Sequence, residues 1–103
     1  MSEYVAALEE AWAAHLAGRA PGAPTVVSLF AGCGGSSLGY SMAGFRELLA
    51  VEWDNRAVDI FKLNFPSVPV YLEDIRSLSV RHCLGLAGLR PGELDLLDGS
   101  PPC

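Results

Sequence analysis

The chain has 103 residues, half of them hydrophobic, and a formal net charge of −5. This length allows at most one small domain, and the apolar and aromatic content excludes a chain that is disordered by composition. The excess of acidic residues is a poor balance for a surface that must hold nucleic-acid phosphates by itself, so such a surface is expected to come from elsewhere.

Membrane, secreted and metal-binding classes are also disfavoured. No apolar run approaches the roughly 18 residues that span a bilayer, and no secretory signal opens the chain, so a cytoplasmic, bacterial location is the default expectation. The cysteines Cys33, Cys83 and Cys103 show no C-x-x-C spacing, and the two histidines, His15 and His82, stand far apart. We therefore expect neither a metal site nor a disulfide framework.

The first predicted element is an amphipathic helix over 3–17, laid against the domain or a partner. Apolar residues recur near helical spacing at Val5, Leu8, Trp12 and Leu16. A proline- and glycine-containing connector follows, which cannot be helical. The predicted organisation is an N-terminal helix over 1–18, a linker over 19–24, and a larger α/β unit over 25–103.

From residue 25 onward, predicted strands alternate with predicted helices. The strands are expected at 25–31, 47–53, 69–73 and 94–98, and the helices at 37–43, at 55–64 and within 77–87. Asp54 is expected to cap the second of these helices. Such alternation predicts a parallel sheet with crossover connections, that is, an α/β fold forming part of a doubly wound sheet.

The segment after the first strand is rich in glycine. Gly32, Gly34 and Gly35 fall within four residues, and Ser36 and Ser37 follow as candidate caps for the next helix. A strand, a glycine loop and a helix N-terminus in succession are typical of nucleotide-like ligand sites. However, Ser37 stands where the dinucleotide pattern G-x-G-x-x-G requires glycine. By itself the loop is equally consistent with a tight turn.

The carboxyl ends of the other strands supply further candidate groups, because ligands of such sheets bind there. Glu52 could accept hydrogen bonds from ribose hydroxyls or be a solvated carboxylate, and Trp53 could cover an adenine or belong to the core. Asp74 could accept from an adenine amino group or cap the next segment. Cys103 follows two prolines that restrict the backbone, which suits a positioned nucleophile.

Together these residues resemble the N-terminal part of the cytosine-5 DNA methyltransferases. Leu29 to Gly35 resembles the first motif of that family, F-x-G-x-G-G, and Val51 to Asp54 resembles the second. Asp74-Ile75 resembles the third, and Pro101-Pro102-Cys103 matches the proline-cysteine of the fourth. The resemblance covers residues 26–103.

The resemblance implies S-adenosyl-L-methionine as cofactor and a role for each matching residue. Phe30 would pack against the adenine, Glu52 would bind the ribose, and Trp53 would contact the cofactor. The remaining cofactor-binding positions implied are Gly32, Cys33, Gly34 and Gly35 around the methionine part, Asp74 and Ile75 around the adenine, and Pro102. Cys103 would add to C6 of a cytosine flipped out of DNA, which activates C5 to take the methyl group before the C5 proton is lost.

This sequence also departs from the family pattern. Ser28 stands where many members carry Asp, and Ser100 stands where glycine is usual. The family's later motifs, including its target-recognition region, have no counterpart within these residues. We therefore expect a methyltransferase fragment that is inactive by itself: a truncated gene product, the first piece of a split enzyme or an incomplete record. Its DNA contacts would lie outside these residues, and the isolated chain would self-associate or need a complementing C-terminal chain. Its fourth strand would then be an exposed edge that favours self-association.

Two alternative functions stay open at this point. The chain could be a cofactor-binding remnant or subunit without catalysis. It could also belong to a branch that methylates transfer RNA cytosines, because nothing in residues 1–103 distinguishes a DNA from an RNA target.

Overall fold

A computed structural model describes residues 2–17 and 21–101. Gly18 and the first two residues of the predicted linker, Arg19 and Ala20, lie outside the described residues, as do Pro102 and Cys103. Within the described ranges, none of the helices combines the length and apolar character needed to cross a membrane.

The described elements alternate from residue 25 onward, as the sequence predicts. In chain order they are α1 (Ser2–Ala17), β1 (Thr25–Leu29), α2 (Gly35–Met42), β2 (Arg46–Val51), α3 (Asn55–Asn64), β3 (Val70–Tyr71), a 3-10 turn (Ile75–Ser77), α4 (Val80–Ala87) and β4 (Leu96–Gly99).

The four described strands form one parallel sheet in the order β3-β2-β1-β4. From β1 the chain first moves outward to β2 and β3, and it then returns to place β4 on the other side of β1. The strand order therefore reverses between β1 and β4, which is where ligands of open α/β sheets bind. The predicted α/β fold with a parallel sheet is confirmed.

The core lies on both faces of the sheet. On one face, Val27, Leu49 and Val51 are buried and α4 packs nearby through Cys83 and Ala87. On the opposite face, Ala50 of β2 clusters with Phe61 of α3 and with Phe65, which directly follows α3. Leu38 of α2 packs against this cluster. Cys83 is thus half-buried against the core, where a free cysteine packs as a small apolar residue.

A β-bulge interrupts the alternation of β2. Val26 pairs with Glu47 and Val27 pairs with Leu49, so Leu48 is an extra residue in the β1–β2 ladder. Leu48 and Leu49 consequently pack against the same side of the sheet. The bulge leaves Glu47 buried beneath α2, at 9% exposure. A strictly alternating strand pattern would not place a carboxylate on this buried face.

The helix α1 contacts the rest of the molecule through His15. Its Nδ1 lies 2.6 Å from the Ser41 hydroxyl and its Nε2 lies 3.2 Å from the Asn64 carbonyl oxygen. Because a carbonyl only accepts, Nε2 carries the proton, and in the neutral ring Nδ1 accepts from Ser41. The predicted apolar stripe is exposed, from 43% at Leu8 and Trp12 to 67% at Leu16.

Several details of the predicted elements differ from the structure. Neither Ser36 nor Ser37 caps α2: its N-cap is Gly34, which has a left-handed backbone and no side-chain hydrogen bond to the helix. The first two strands end two residues earlier than expected, and at β1 this is because Phe30 leaves the extended conformation (φ 53°) after Leu29. The third strand is shorter than predicted, and the fourth begins two residues later. The predicted Asp54 cap of α3 is confirmed, with its carboxylate accepting from the Arg56 and Ala57 amides.

Candidate functional site

A cleft of about 670 Å³ opens at the carboxyl ends of the strands. It brings together five of the residues that the sequence singles out, Phe30, Glu52, Trp53, Asp74 and Ile75. Its other lining residues are Val51, Asp54, Glu73, Arg76 and Ser100. These groups come from four separate loops, and they meet because parallel strands end at the same edge of a sheet.

Glu52 connects the glycine loop to the end of β2. One carboxylate oxygen accepts from the Gly32 amide at 2.9 Å. The other accepts from the amides of Trp53 and Asp54, each at 3.0 Å. The side chain is therefore fixed by three backbone donors and is not a freely solvated carboxylate. Two carboxylate oxygens offer about four acceptor positions, so capacity remains for a ligand hydroxyl.

The glycine loop lies beside the cleft, although Gly32, Cys33, Gly34 and Gly35 do not line it. Gly32 and Gly34 both have positive φ, at 60° and 96°. A Cβ atom on Gly34 would lie 2.9 Å from Cδ2 of Phe61, whereas one on Gly35 would meet nothing within 4 Å. Gly34 is thus required by its contact with α3, while the exposed Cys33 stands at the solvent side of the loop.

The two aromatic residues of the cleft are unusual in different ways. Phe30 has φ 53°, a left-handed conformation that is strained for a bulky side chain. Such strain costs on the order of 1–3 kcal/mol and is concentrated at functional sites. Trp53 is 70% exposed, so it is not a core residue, and it leaves a large apolar surface open to a ligand.

Asp74 begins the 3-10 turn at the third loop. Its carboxylate accepts from the Arg76 amide at 2.8 Å and pairs with the Arg76 guanidinium at 2.6 Å. The hydrogen bonds from the Arg76 side chain and amide lower the pKa of Asp74 to about 2. Asp74 therefore does cap the following segment, and its charge persists through the neutral range.

The charge of the cleft is strongly asymmetric. Four carboxylates, those of Glu52, Asp54, Glu73 and Asp74, face one guanidinium, that of Arg76. Such a lining disfavours the phosphates of a dinucleotide and favours a ligand that carries positive charge. Among the described residues, no group of three or more histidine, cysteine or acidic side chains is arranged to hold a metal ion.

Two predicted site residues, Pro102 and Cys103, lie outside the described residues. Ser100, which stands where the family usually has glycine, lines the cleft. The roles expected for Pro102 and Cys103 therefore stay predictions.

A buried polar network that sequence patterns do not predict lies behind the glycine loop. Ser37 donates to Oε1 of Glu47 at 2.8 Å, and the hydroxyls of Ser28 and Ser37 are 3.0 Å apart. Burial raises the pKa of Glu47, the nearby Asp98 carboxylate acts in the same direction, and the two serine hydrogen bonds oppose the shift. A polar residue within an apolar strand, Ser28, was the available sequence signal of this network. Its partners could not be predicted, because they depend on the β2 bulge and on the packing of α2.

The fold and the cleft define an α/β domain whose parallel sheet carries an acidic cleft where its strand order reverses. The model of the C-5 cytosine-specific DNA methylase family matches residues 24–103. The chain therefore belongs to the C-5 cytosine-specific DNA methylase family.

Individual relatives agree with this assignment. The type II methyltransferase M.AquIA of Picosynechococcus sp. is 41% identical over 78 residues, which are 76% of this chain and 32% of that protein. The type II methyltransferase M1.HphI of Haemophilus parahaemolyticus is 39% identical over 79 residues, 77% of this chain and 21% of its own. A prophage-encoded E. coli protein assigned as a DNA modification methyltransferase superposes with a TM-score of 0.70 at 36% identity, over 78% of this chain and 23% of that one.

The chain thus spans about a third or less of the length of these relatives. The family match over residues 24–103 includes the sheet and the cleft described above.

Proposed function

We propose that this chain forms the cofactor-binding part of a DNA (cytosine-5) methyltransferase that uses S-adenosyl-L-methionine. The observation that carries the proposal is the acidic cleft at the strand ends, in which Glu52 is fixed to the glycine loop and Trp53 is exposed. Its lining and its strand order suit an adenosyl ligand with a cationic end.

The residues of the cleft fit this cofactor, which supplies an electrophilic methyl group on a positively charged sulfur. Glu52 would accept from the ribose hydroxyls with its remaining acceptor capacity. Phe30 and Trp53 would pack against the adenine, with Asp74 and Ile75 at its edge. The methionine part would lie along the backbone of residues 32–35, and Pro102 would complete the contact.

The chemical step is proposed for Cys103. Its thiolate would add to C6 of a cytosine held outside the duplex, which makes C5 nucleophilic. The proposed methyltransferase unit runs from residue 25 to 103, with the helix over 1–18 and the linker over 19–24 preceding it. Because the described cleft is acidic, the DNA phosphates would be held by regions outside this chain.

A complementing C-terminal chain is part of the proposal. β4 is an outer strand of the described sheet, and Leu97 on it is 58% exposed. An apolar outer strand with free backbone groups favours pairing with another strand. Light scattering of the chain at high concentration should show association, and a stable monodisperse monomer would count against this part of the proposal.

Cofactor binding can be tested by calorimetry together with the fluorescence of Trp53. S-adenosyl-L-methionine should bind and change the tryptophan emission of Trp12→Phe, in which Trp53 is the remaining tryptophan. NAD, which carries phosphates, should not compete. Glu52→Ala should raise the dissociation constant about tenfold or more, because a charged hydrogen-bonding group contributes about 1.5–3 kcal/mol. Asp59→Asn, at an exposed position of α3, is the matched control. Equal binding of NAD, or no effect of Glu52→Ala, would overturn the assignment of the cleft.

A further inference from the structure

The first turn of α2 follows the glycine loop directly, yet it lacks the usual side-chain cap. Gly34 occupies the N-cap position without a side-chain hydrogen bond to the helix. A capping side chain ordinarily contributes about 0.5–2 kcal/mol and fixes the start of a helix. Another interaction must therefore set how this turn lies on the sheet.

Ser37 provides that interaction from the third position of α2. Its side chain is 1% exposed and points toward the sheet, where its hydroxyl donates to Oε1 of Glu47 at 2.8 Å. The Ser28 hydroxyl is 3.0 Å away on β1. One buried serine thus ties α2 to both central strands. Ser36, its neighbour, is exposed.

The opposite end of the loop is held by a second carboxylate from the same segment of chain. Glu52, directly after β2, accepts from the Gly32 amide at 2.9 Å. Glu47, near the start of β2, holds Ser37. The loop over residues 32–35 is therefore fixed at one end through Glu52 and at the other through Glu47.

Stability is a poor explanation for the Ser37–Glu47 pair. Glu47 is nine-tenths buried, and its Oε2 has no hydrogen-bond partner among the described residues. A buried carboxylate costs free energy, and an apolar pair of similar volume is often as stable or more stable. What a hydrogen bond of fixed length and direction adds is a defined orientation of the helix on the sheet.

We infer that Ser37 and Glu47 are positioning residues for cofactor binding: their hydrogen bond holds the glycine loop in the orientation that receives the methionine part of the ligand. This inference rests on the proposed function. Neither side chain lines the cleft, so both act through the backbone of residues 32–35.

The decisive variant replaces the whole network by apolar groups, Ser28→Ala with Ser37→Ala and Glu47→Leu. It should fold at least as stably as the natural chain by urea denaturation, because no buried polar group loses its partner. Its dissociation constant for S-adenosyl-L-methionine should nevertheless rise about five- to tenfold. The single change Ser36→Ala should alter neither quantity, and Glu47→Gln, which keeps the acceptor for Ser37, should retain binding.

A second readout does not depend on the ligand. The alkylation rate of Cys33, measured by peptide mass spectrometry in the absence of cofactor, should rise severalfold in the apolar triple variant and stay unchanged in Ser36→Ala. A stable triple variant with natural affinity and natural Cys33 reactivity would overturn the inference. If the natural chain does not bind cofactor but Cys33 reactivity rises as expected, the proposed function fails while the positioning role is retained.

Discussion

Gly34 combines a left-handed backbone with a close approach to the ring of Phe61. Its φ is 96°, and an added Cβ would lie 2.9 Å from Phe61 Cδ2 and 3.4 Å from Phe65 Cε2. Both rings are buried and stacked on each other, so neither has room to withdraw. At this residue the glycine of the loop is needed for packing, independently of any ligand.

Gly34→Ala is therefore expected to destabilise the chain by about 2–4 kcal/mol, from backbone strain together with overpacking of a filled core. Urea denaturation followed by circular dichroism measures this. Gly35→Ala is the matched control, since an added Cβ there meets nothing within 4 Å. It should be neutral or slightly stabilising in the first turn of a helix. Equal stability of the two variants would contradict the packing role of Gly34.

At the scale of elements, α1 is joined to the body through a small set of polar and aromatic contacts. The His15 ring lies 5.0 Å from Phe65 in an edge-on arrangement and 5.3 Å from Trp12, between centroids. The same ring bonds to Ser41 on α2 and to the end of α3. The large apolar residues of α1 are exposed, so we expect His15 to contribute substantially to the docking of the helix.

His15→Ala should release α1 without unfolding the sheet. Two hydrogen bonds and the ring contact with Phe65 are lost, which corresponds to about 1–3 kcal/mol of local docking free energy. Hydrogen exchange resolved by peptide should show faster exchange over 2–17 and unchanged exchange in β1 and β2. Glu10→Ala, at an exposed position of the same helix, should leave both regions as they are. Unchanged protection of α1 in His15→Ala would show that other contacts hold the helix.

At the scale of the whole molecule, acidic groups dominate, with 12 acidic against seven basic residues. Most of these carboxylates are exposed, but Glu47 is buried between the sheet and α2. Its raised pKa means that the folded chain keeps this proton at pH values where the unfolded chain has lost it. Folding stability should consequently fall as the pH rises from the ordinary glutamate pKa through the raised one.

Glu47→Gln should remove that dependence. The amide cannot ionise, so the variant is expected to be more stable than the natural chain at neutral pH, and the difference should vanish below about pH 4, where the natural carboxyl is protonated in both states. Thermal unfolding followed at several pH values measures this. A stability difference that does not change between pH 4 and 8 would mean that Glu47 titrates normally.

Much of this architecture could be predicted from local patterns. Alternating apolar runs and helical periods indicate the strands and helices from residue 25 onward, because burial in a parallel sheet demands those patterns. The placement of Phe30, Glu52, Trp53, Asp74 and Ile75 at one cleft could be expected for the same reason. The ends of the strands could not be predicted in this way, because they depend on where a single residue such as Phe30 leaves the extended conformation.

The sequence by itself determined the family, the α/β class and the candidate cofactor residues, because motifs and periodicity are local properties of the chain. Only the tertiary structure decided what holds the glycine loop, namely Glu52 on Gly32 and Glu47 on Ser37. The partners of those two bonds are 20 and 10 residues apart, and their meeting depends on the bulge at Leu48 and on the packing of α2. Contacts of that kind are set by three-dimensional register, which no local pattern encodes.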